Sequence, residues 1–256
     1  MDKVKAKKYF GQHFLNDKNI ARKVVDLLSM NTKNVVEIGP GMGALTQFLI
    51  QKDINLKVIE IDRDSIRYLK LNYPTLRERI IEGDFLKEDL ENTFGEKFSL
   101  VGNFPYNISS QILFALIEYK DTIPEIVGMF QKEVAERIVA KKGRKRGILS
   151  VLLQAYYDIE YCFTVDSFLF SPPPKVKSGV IRLVRNKVKQ LPCDEKIFKQ
   201  IVKTSFNQRR KTLRNALKSF SLERKLEHTN LLQKRAENLL VDDYISITKV
   251  CQKKQK

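Results

Sequence analysis

The sequence predicts a doubly wound α/β domain on a largely parallel sheet, followed by a small all-helical carboxy-terminal domain. Three observations predict it. Short apolar runs of strand length alternate with helical stretches between residues 34 and 127, as expected of βαβ units. The first run ends in a glycine-rich turn, Gly39-Pro40-Gly41-Met42-Gly43. The strand signal then stops after Val184, where the polar, proline-containing stretch from Asn186 to Pro192 reads as a domain boundary. A chain of 256 residues suits one large and one small domain, here divided as 1–188 and 189–256.

In chain order, Ile20, Val24, Leu27 and Leu28 follow helical spacing behind Asn16-Asp17, which can cap the helix start. Asn34-Val35-Val36-Glu37-Ile38 reads as a buried strand. Further strands are Leu56 to Ile61, Arg79 to Ile81, Phe98 to Val101 and Ile123 to Val127. Two β-rich segments, Ile159 to Val165 and Gly179 to Val184, close the sheet as a late hairpin. Beyond the boundary, Phe198, Ile201 and Val202, then Leu213, Ala216 and Leu217, then Leu239 and Leu240 read as helical faces.

Composition narrows the classes. The longest uninterrupted apolar run, Ile112 to Ile117, is far short of the roughly 18 residues of a membrane span. The basic start has no apolar stretch behind it, so no secretory signal is expected. Cys162, Cys193 and Cys251 lie far apart without CxxC spacing, which argues against a disulfide framework and a zinc site and fits a reducing cytoplasm. With only two histidines, His13 and His228, a His-rich metal centre is excluded. The net charge is +17, and residues 187–256 carry +11 of it, with 18 Lys and Arg against 7 Asp and Glu. Such an excess points to a polyanionic partner rather than a membrane, since no strongly apolar face accompanies it.

Two constellations carry chemistry. Gly39 and Gly41, with Ala44 where GxGxxG has its third glycine, let a ligand approach the backbone where a Rossmann-like fold binds nucleotides. The acid before them, Glu37, tilts the reading toward a positively charged cofactor. Glu60, ending the second strand with Ile61 beside it, can accept bonds from both ribose hydroxyls. Asp62 is its rival, with a helix cap as its plainer role. Asp84, beside Phe85, can hold an adenine amino group. Singly, Gly41 reads as a tight turn and Asp84 as a cap; together, at three successive strand tips, they favour a nucleoside cofactor.

The second constellation is Asn103-Phe104-Pro105-Tyr106. An adenine amino nitrogen is a poor nucleophile whose lone pair is delocalised, so it needs acceptors for its N–H groups. The Asn103 oxygen and a backbone carbonyl, that of Phe104, can supply them. Pro105 stiffens the loop and Tyr106 can stack on a displaced base. Phe170, before Ser171-Pro172-Pro173-Pro174, can hold the other face of that base; the plainer alternatives are a strand-end turn for the first segment and a linker for the second.

With these residues in place, the chain resembles the ribosomal RNA adenine N6,N6-dimethyltransferases, within them the bacterial small-subunit (KsgA-type) branch. The resemblance spans nearly the whole chain. It rests on Phe10 through Leu15, Glu37 through Gly43, Asn103 through Ser109, Gln131 through Arg137, Phe170 through Ser178 and Phe206 through Asn215. It implies an S-adenosylmethionine methyltransferase in which His13 and Leu15 lie over the cofactor, with Gly39, Glu60, Asp84 and Asn103 completing the pocket. It also implies the substrate, two adjacent adenosines in a hairpin loop near the 3′ end of small-subunit RNA, within a partly assembled particle. Phe104 stands where the family most often has Leu. A cytoplasmic monomer without metal is expected.

Arg144, Lys145 and Arg146 belong to a basic run from Arg137, which reads either as a solvated helix end or as a phosphate-binding loop. Arg209, Arg210, Lys211 and Arg214 are the stronger RNA candidates, Arg210 and Arg214 sharing a face at helical spacing. Two rivals remain: an assembly factor that acts mainly by binding, and a DNA adenine methyltransferase, whose target loop is similar.

Overall fold

Parallel pairing carries the architecture. The computed structural model describes residues 4–90, 94–222 and 229–253. Its strands are β1 (Phe14–Leu15), β2 (Asn34–Ile38), β3 (Asn55–Glu60), β4 (Ile80–Glu82), β5 (Ser99–Asn103), β6 (Glu125–Gln131), β7 (Tyr157–Val165), β8 (Phe170–Ser171), β9 (Ser178–Arg185), β10 (Phe220–Leu222) and β11 (Cys251–Lys253). Among the described residues, seven of them form one sheet in the order β4-β3-β2-β5-β6-β9-β7. The pairs from β4 to β6 are parallel, and β9 runs antiparallel to β6. Helices cover such sheets on both faces, so their strands read as continuous apolar runs. Val35, Val36, Leu100, Val101, Ile126 and Val127 are accordingly buried.

Asp17 caps the first helix, Lys18–Val25, accepting from the Ile20 amide at 2.8 Å. Asp62 caps the helix Arg63–Asn72. The chain runs outward from β2 through β3 to β4, then returns to β5 on the other side of β2. This reversal is the place where an open α/β sheet leaves a crevice beyond its strand ends. Ile38 pairs with Gly102 across β2 and β5, so the glycine turn and the Asn103 loop leave the sheet side by side.

Three arrangements differ from the reading of the sequence. First, β7 and β9 are neighbours as expected, but β9, the later strand, inserts between β6 and β7. Second, β1 and β8 form a separate antiparallel ladder, Phe14 opposite Ser171 and Leu15 opposite Phe170, too short to leave any periodicity. Third, the tail is not purely helical, because the three-residue strands β10 and β11 pair within it.

The chain divides into two compact units, Met1–Ala135 with Ile159–Arg185, and Glu136–Asp158 with Asn186–Lys256. A single cut at 188 therefore does not describe the division. The helix Ile148–Gln154 buries Val151, Leu152 and Leu153 and packs on the helices Glu195–Asn207 and Val241–Lys249. Gly143 N–H donates to the Glu237 carbonyl at 2.8 Å, and Asn186 N–H to that of Tyr156 at 2.9 Å. The second unit buries Phe198, Ile201, Val202, Leu213, Leu239, Tyr244 and Ile247. His228 lies outside the described residues.

Candidate functional site

Beyond the ends of β2, β3 and β5 lies a cavity of about 610 Å³. Its first wall is the glycine turn. Gly41 has φ 56°, and a β-carbon there would lie 2.8 Å from Phe14 Cε1, so both the turn and its packing require glycine. The Gly41 amide donates to Glu60 Oε2 at 3.0 Å, and the Ile61 and Asp62 amides donate to Oε1, each at 2.9 Å. Glu60 thus pins the glycine turn to the start of the next helix. Burial pushes its carboxyl above the usual range, against the opposing pull of the three N–H donors.

The opposite wall comes from the amino-terminal segment. The His13 Nδ1 lies 2.7 Å from the Pro172 carbonyl oxygen. A carbonyl only accepts, so Nδ1 carries a proton and donates this bond. Asn103 Nδ2 donates to the His13 carbonyl at 2.7 Å. That bond fixes which way the amide points and leaves Oδ1 as its acceptor. Tyr106 donates or accepts at Ser178 Oγ, 2.6 Å away, and its ring centre lies 5.5 Å from that of His13.

The cavity brings together His13, Leu15, Gly39, Gly41, Glu60, Ile61, Asp84, Phe85, Asn103, Phe104, Pro105 and Tyr106. Ile61 is 46% exposed, an apolar surface beside the buried Glu60. Asp84 Oδ1 accepts from the Leu86 amide at 3.0 Å, so it caps a turn while still facing the cavity. Asp62 is a cap rather than a lining residue, accepting from Asp64 N–H at 3.1 Å and Ser65 Oγ at 3.2 Å.

One expectation is corrected here. Phe170 does not line the cavity: its pairing with Leu15 turns it into the apolar core, where it is 2% exposed. Glu37, the acid before the glycine turn, lines the cavity; burial pushes its carboxyl up to about 8, with the Thr46 hydroxyl 2.6 Å away.

One arrangement had no signal in the sequence. Lys7 forms ion pairs with Asp62 and, at 2.7 Å, with Asp64, while Gln12 Nε2 donates to Asp62 Oδ2 at 2.8 Å. These bonds fasten the amino-terminal wall to the segment after Glu60. They raise the Lys7 ammonium, and they hold the Asp62 carboxyl down although its burial acts the other way. Partners some 50 residues apart cannot be paired from local pattern. Lys18, Gln47 and Tyr68, also unforeseen, line the cavity as well.

The basic candidates lie in the second unit and divide by exposure. Arg146 is fully buried, its Nη1 donating to the Ala140 carbonyl at 2.8 Å and Gln154 Oε1 at 2.9 Å. It ties its loop to the following helix and is no phosphate ligand. Arg209 is partly engaged, bonded to Glu237 and to the Arg144 carbonyl. Lys145 pairs with Glu136 at 2.5 Å. Arg144, Lys145, Arg210, Lys211 and Arg214 are exposed. Arg210 and Arg214 do not share a helix face, because the helix Glu195–Asn207 ends before Arg210 and the next begins at Leu213.

The model of the ribosomal RNA adenine dimethylase family matches residues 3–253. Ribosomal RNA small subunit methyltransferase A of Cytophaga hutchinsonii is 57% identical over 252 residues, covering 97% of this chain and 98% of that protein. The protein of the same name from Bacteroides thetaiotaomicron is 55% identical, covering 97% and 94%. Among solved structures, a dimethyladenosine transferase from Plasmodium falciparum has a TM-score of 0.75 at 27% identity, covering 92% of this chain and 96% of that one. The 23S rRNA methyltransferase ErmE has a TM-score of 0.74 at 23% identity, covering 92% and 98%, a likeness of fold.

Proposed function

The chain belongs to the ribosomal RNA adenine dimethylase family, and from that premise we propose that it dimethylates N6 of two adjacent adenosines in the hairpin loop near the 3′ end of 16S rRNA. The methyl donor is S-adenosylmethionine. The substrate form is the RNA within a partly assembled small subunit, and the enzyme works as a cytoplasmic monomer in subunit biogenesis. Relatives more than half identical over nearly their full length bear the small-subunit name, which supports that branch of the family. Among the described residues no helix is long and apolar enough to cross a membrane.

The cavity suits the cofactor by its chemistry. A carboxylate held by three backbone amides, Glu60, can take ribose hydroxyls. Ile61 and Phe85 offer apolar surface to a purine, and Asp84 an acceptor to its amino group. His13, Leu15 and Gly39 complete the enclosure. When bound, S-adenosylmethionine supplies a methyl group activated by its sulfonium charge.

One observation carries the mechanism: the Asn103 amide is locked by its bond to the His13 carbonyl at 2.7 Å. Its Oδ1 and the Phe104 carbonyl can then accept the two N–H groups of the target amine, drawing the lone pair out of the ring toward the incoming methyl. The acceptors are oriented before the base arrives, so little reorganisation is left for the reaction. Tyr106, restrained by Ser178, offers an aromatic face to a base lifted from its stack. Exposed Arg144, Lys145, Arg210, Lys211 and Arg214 are proposed ligands of RNA phosphates.

The test is to incubate the protein with labelled cofactor and undermethylated small subunits, then map stops by primer extension. Two adjacent stops near the 3′ end are expected, since dimethylation blocks the Watson–Crick edge; absence of label refutes the reading. Asn103→Ala should lower kcat by roughly 10²-fold or more while the protein still binds S-adenosylhomocysteine, and substantial remaining turnover would remove Asn103 from its role.

A further inference from the structure

Gly102 and Gly128 stand opposite each other across the β5–β6 ladder. Two residues after each glycine stand Phe104, just past the end of β5, and Phe130, within β6; their ring centres are 4.9 Å apart with planes tilted by 34°. The Phe104 ring does not stand away from the sheet. It folds back over the two glycines, in the space their missing side chains leave. A β-carbon on Gly102 would lie 3.0 Å from Phe104 Cε1, and one on Gly128 would lie 2.6 Å from Cδ2 and closer still to Cε2. The ring is 1% exposed and the notch is full.

Everything attached to that ring belongs to the target loop. The Phe104 amide donates to the Met129 carbonyl at 3.2 Å, so the residue is held on one side by the ladder and beneath by its own ring. Its carbonyl continues into Pro105, and its amide leads back to Asn103. A ring raised by even a methyl group's width would lift both proposed acceptors of the amine. Gly128 is 25 positions from Asn103 in sequence and has no side chain to reach the cavity; a β-carbon there would meet the Phe104 ring most closely, with the Gly102 carbonyl oxygen next at 3.0 Å.

We infer that Gly128 is a positioning residue for methyl transfer: the notch it shares with Gly102 seats the Phe104 ring and thereby sets the height of the Asn103–Phe104 acceptor pair. The inference rests on the proposed amine-holding role of that pair.

The experiment is a double-mutant cycle in the full chain, comparing wild type, Gly128→Ala, Phe104→Leu and Phe104→Leu/Gly128→Ala. Methylation of undermethylated small subunits and the Kd for S-adenosylhomocysteine are both measured. In the wild-type background Gly128→Ala should lower kcat at least about ten-fold, a loss of the size that sub-ångström to ångström misplacement produces, with the Kd changed less than about two-fold. In the Phe104→Leu background, whatever activity that variant keeps, the same substitution should cost less than about two-fold. Equal losses in both backgrounds, or no loss in the first, overturn the inference. If Gly128→Ala fails to fold, the comparison within the Phe104→Leu background decides alone: a folded but inactive double variant overturns it. Wild-type turnover on the same particles separates this outcome from a failure of the functional reading itself.

Discussion

At Glu37 burial and ionisation compete. The carboxyl is 2% exposed and is pushed up to about 8, chiefly by burial, with the nearby Glu60 adding to the rise. An unfolded glutamate ionises near pH 4.5. Between these values the folded state holds a proton that the unfolded state has lost, so stability falls as pH rises from about 4.5 to about 8. Glu37→Gln keeps an oxygen for Thr46 but cannot ionise. Its Tm should therefore decline less than the wild-type Tm between pH 5 and pH 8, and parallel curves would show that Glu37 is ionised in the fold. Glu60, Asp84 and Asn103 were legible as candidates for the cavity wall because each ends or follows a strand that could be read from its apolar pattern. Phe170 was not: a residue's exposure depends on its pairing partner, here Leu15 from the distant β1.

The amino-terminal segment contributes a wall of the cavity without belonging to the main sheet, and polar ties add to the short β1–β8 ladder and the buried Leu15 in holding it. Asp62 receives Lys7 and Gln12 from that segment and also caps the helix Arg63–Asn72. Asp62→Asn separates the two duties, since Asn caps as well as Asp but offers no charge to Lys7. Losing the charge partner of Lys7 should weaken S-adenosylhomocysteine binding with helical circular dichroism preserved. Calorimetric titration checks this, and unchanged affinity would show that the wall stays in place without the tie. Elements such as β2, β3 and β5 were readable because each carries a short run of buried apolar residues between helical stretches. The insertion of β9 was not, since period and composition report which face a strand buries and are silent about its neighbour.

Across the whole molecule the charge is +17, weighted toward the tail. Arg210 and Lys211 are the clearest test of what that charge does, being exposed where Arg209 is tied to Glu237 and Arg146 is buried. Replacing both by Ala should weaken RNA binding and flatten the log–log salt dependence by about 0.7 to 0.9 for each phosphate that is no longer neutralised, leaving cofactor affinity alone. An unchanged slope in filter binding at several salt concentrations would remove both from the interface. Composition made this surface legible in bulk, but only burial distinguished Arg146 from its neighbours. The domain boundary was half legible: the polar stretch after Val184 marked one crossing, while nothing in the apolar pattern of Ile148 to Gln154 tells which unit it serves. That division has an evolutionary corollary. Because Glu136–Asp158 lies inside the span of the first unit yet folds with Asn186–Lys256, a lineage could neither acquire nor shed the second unit by one recombination event at the chain's end.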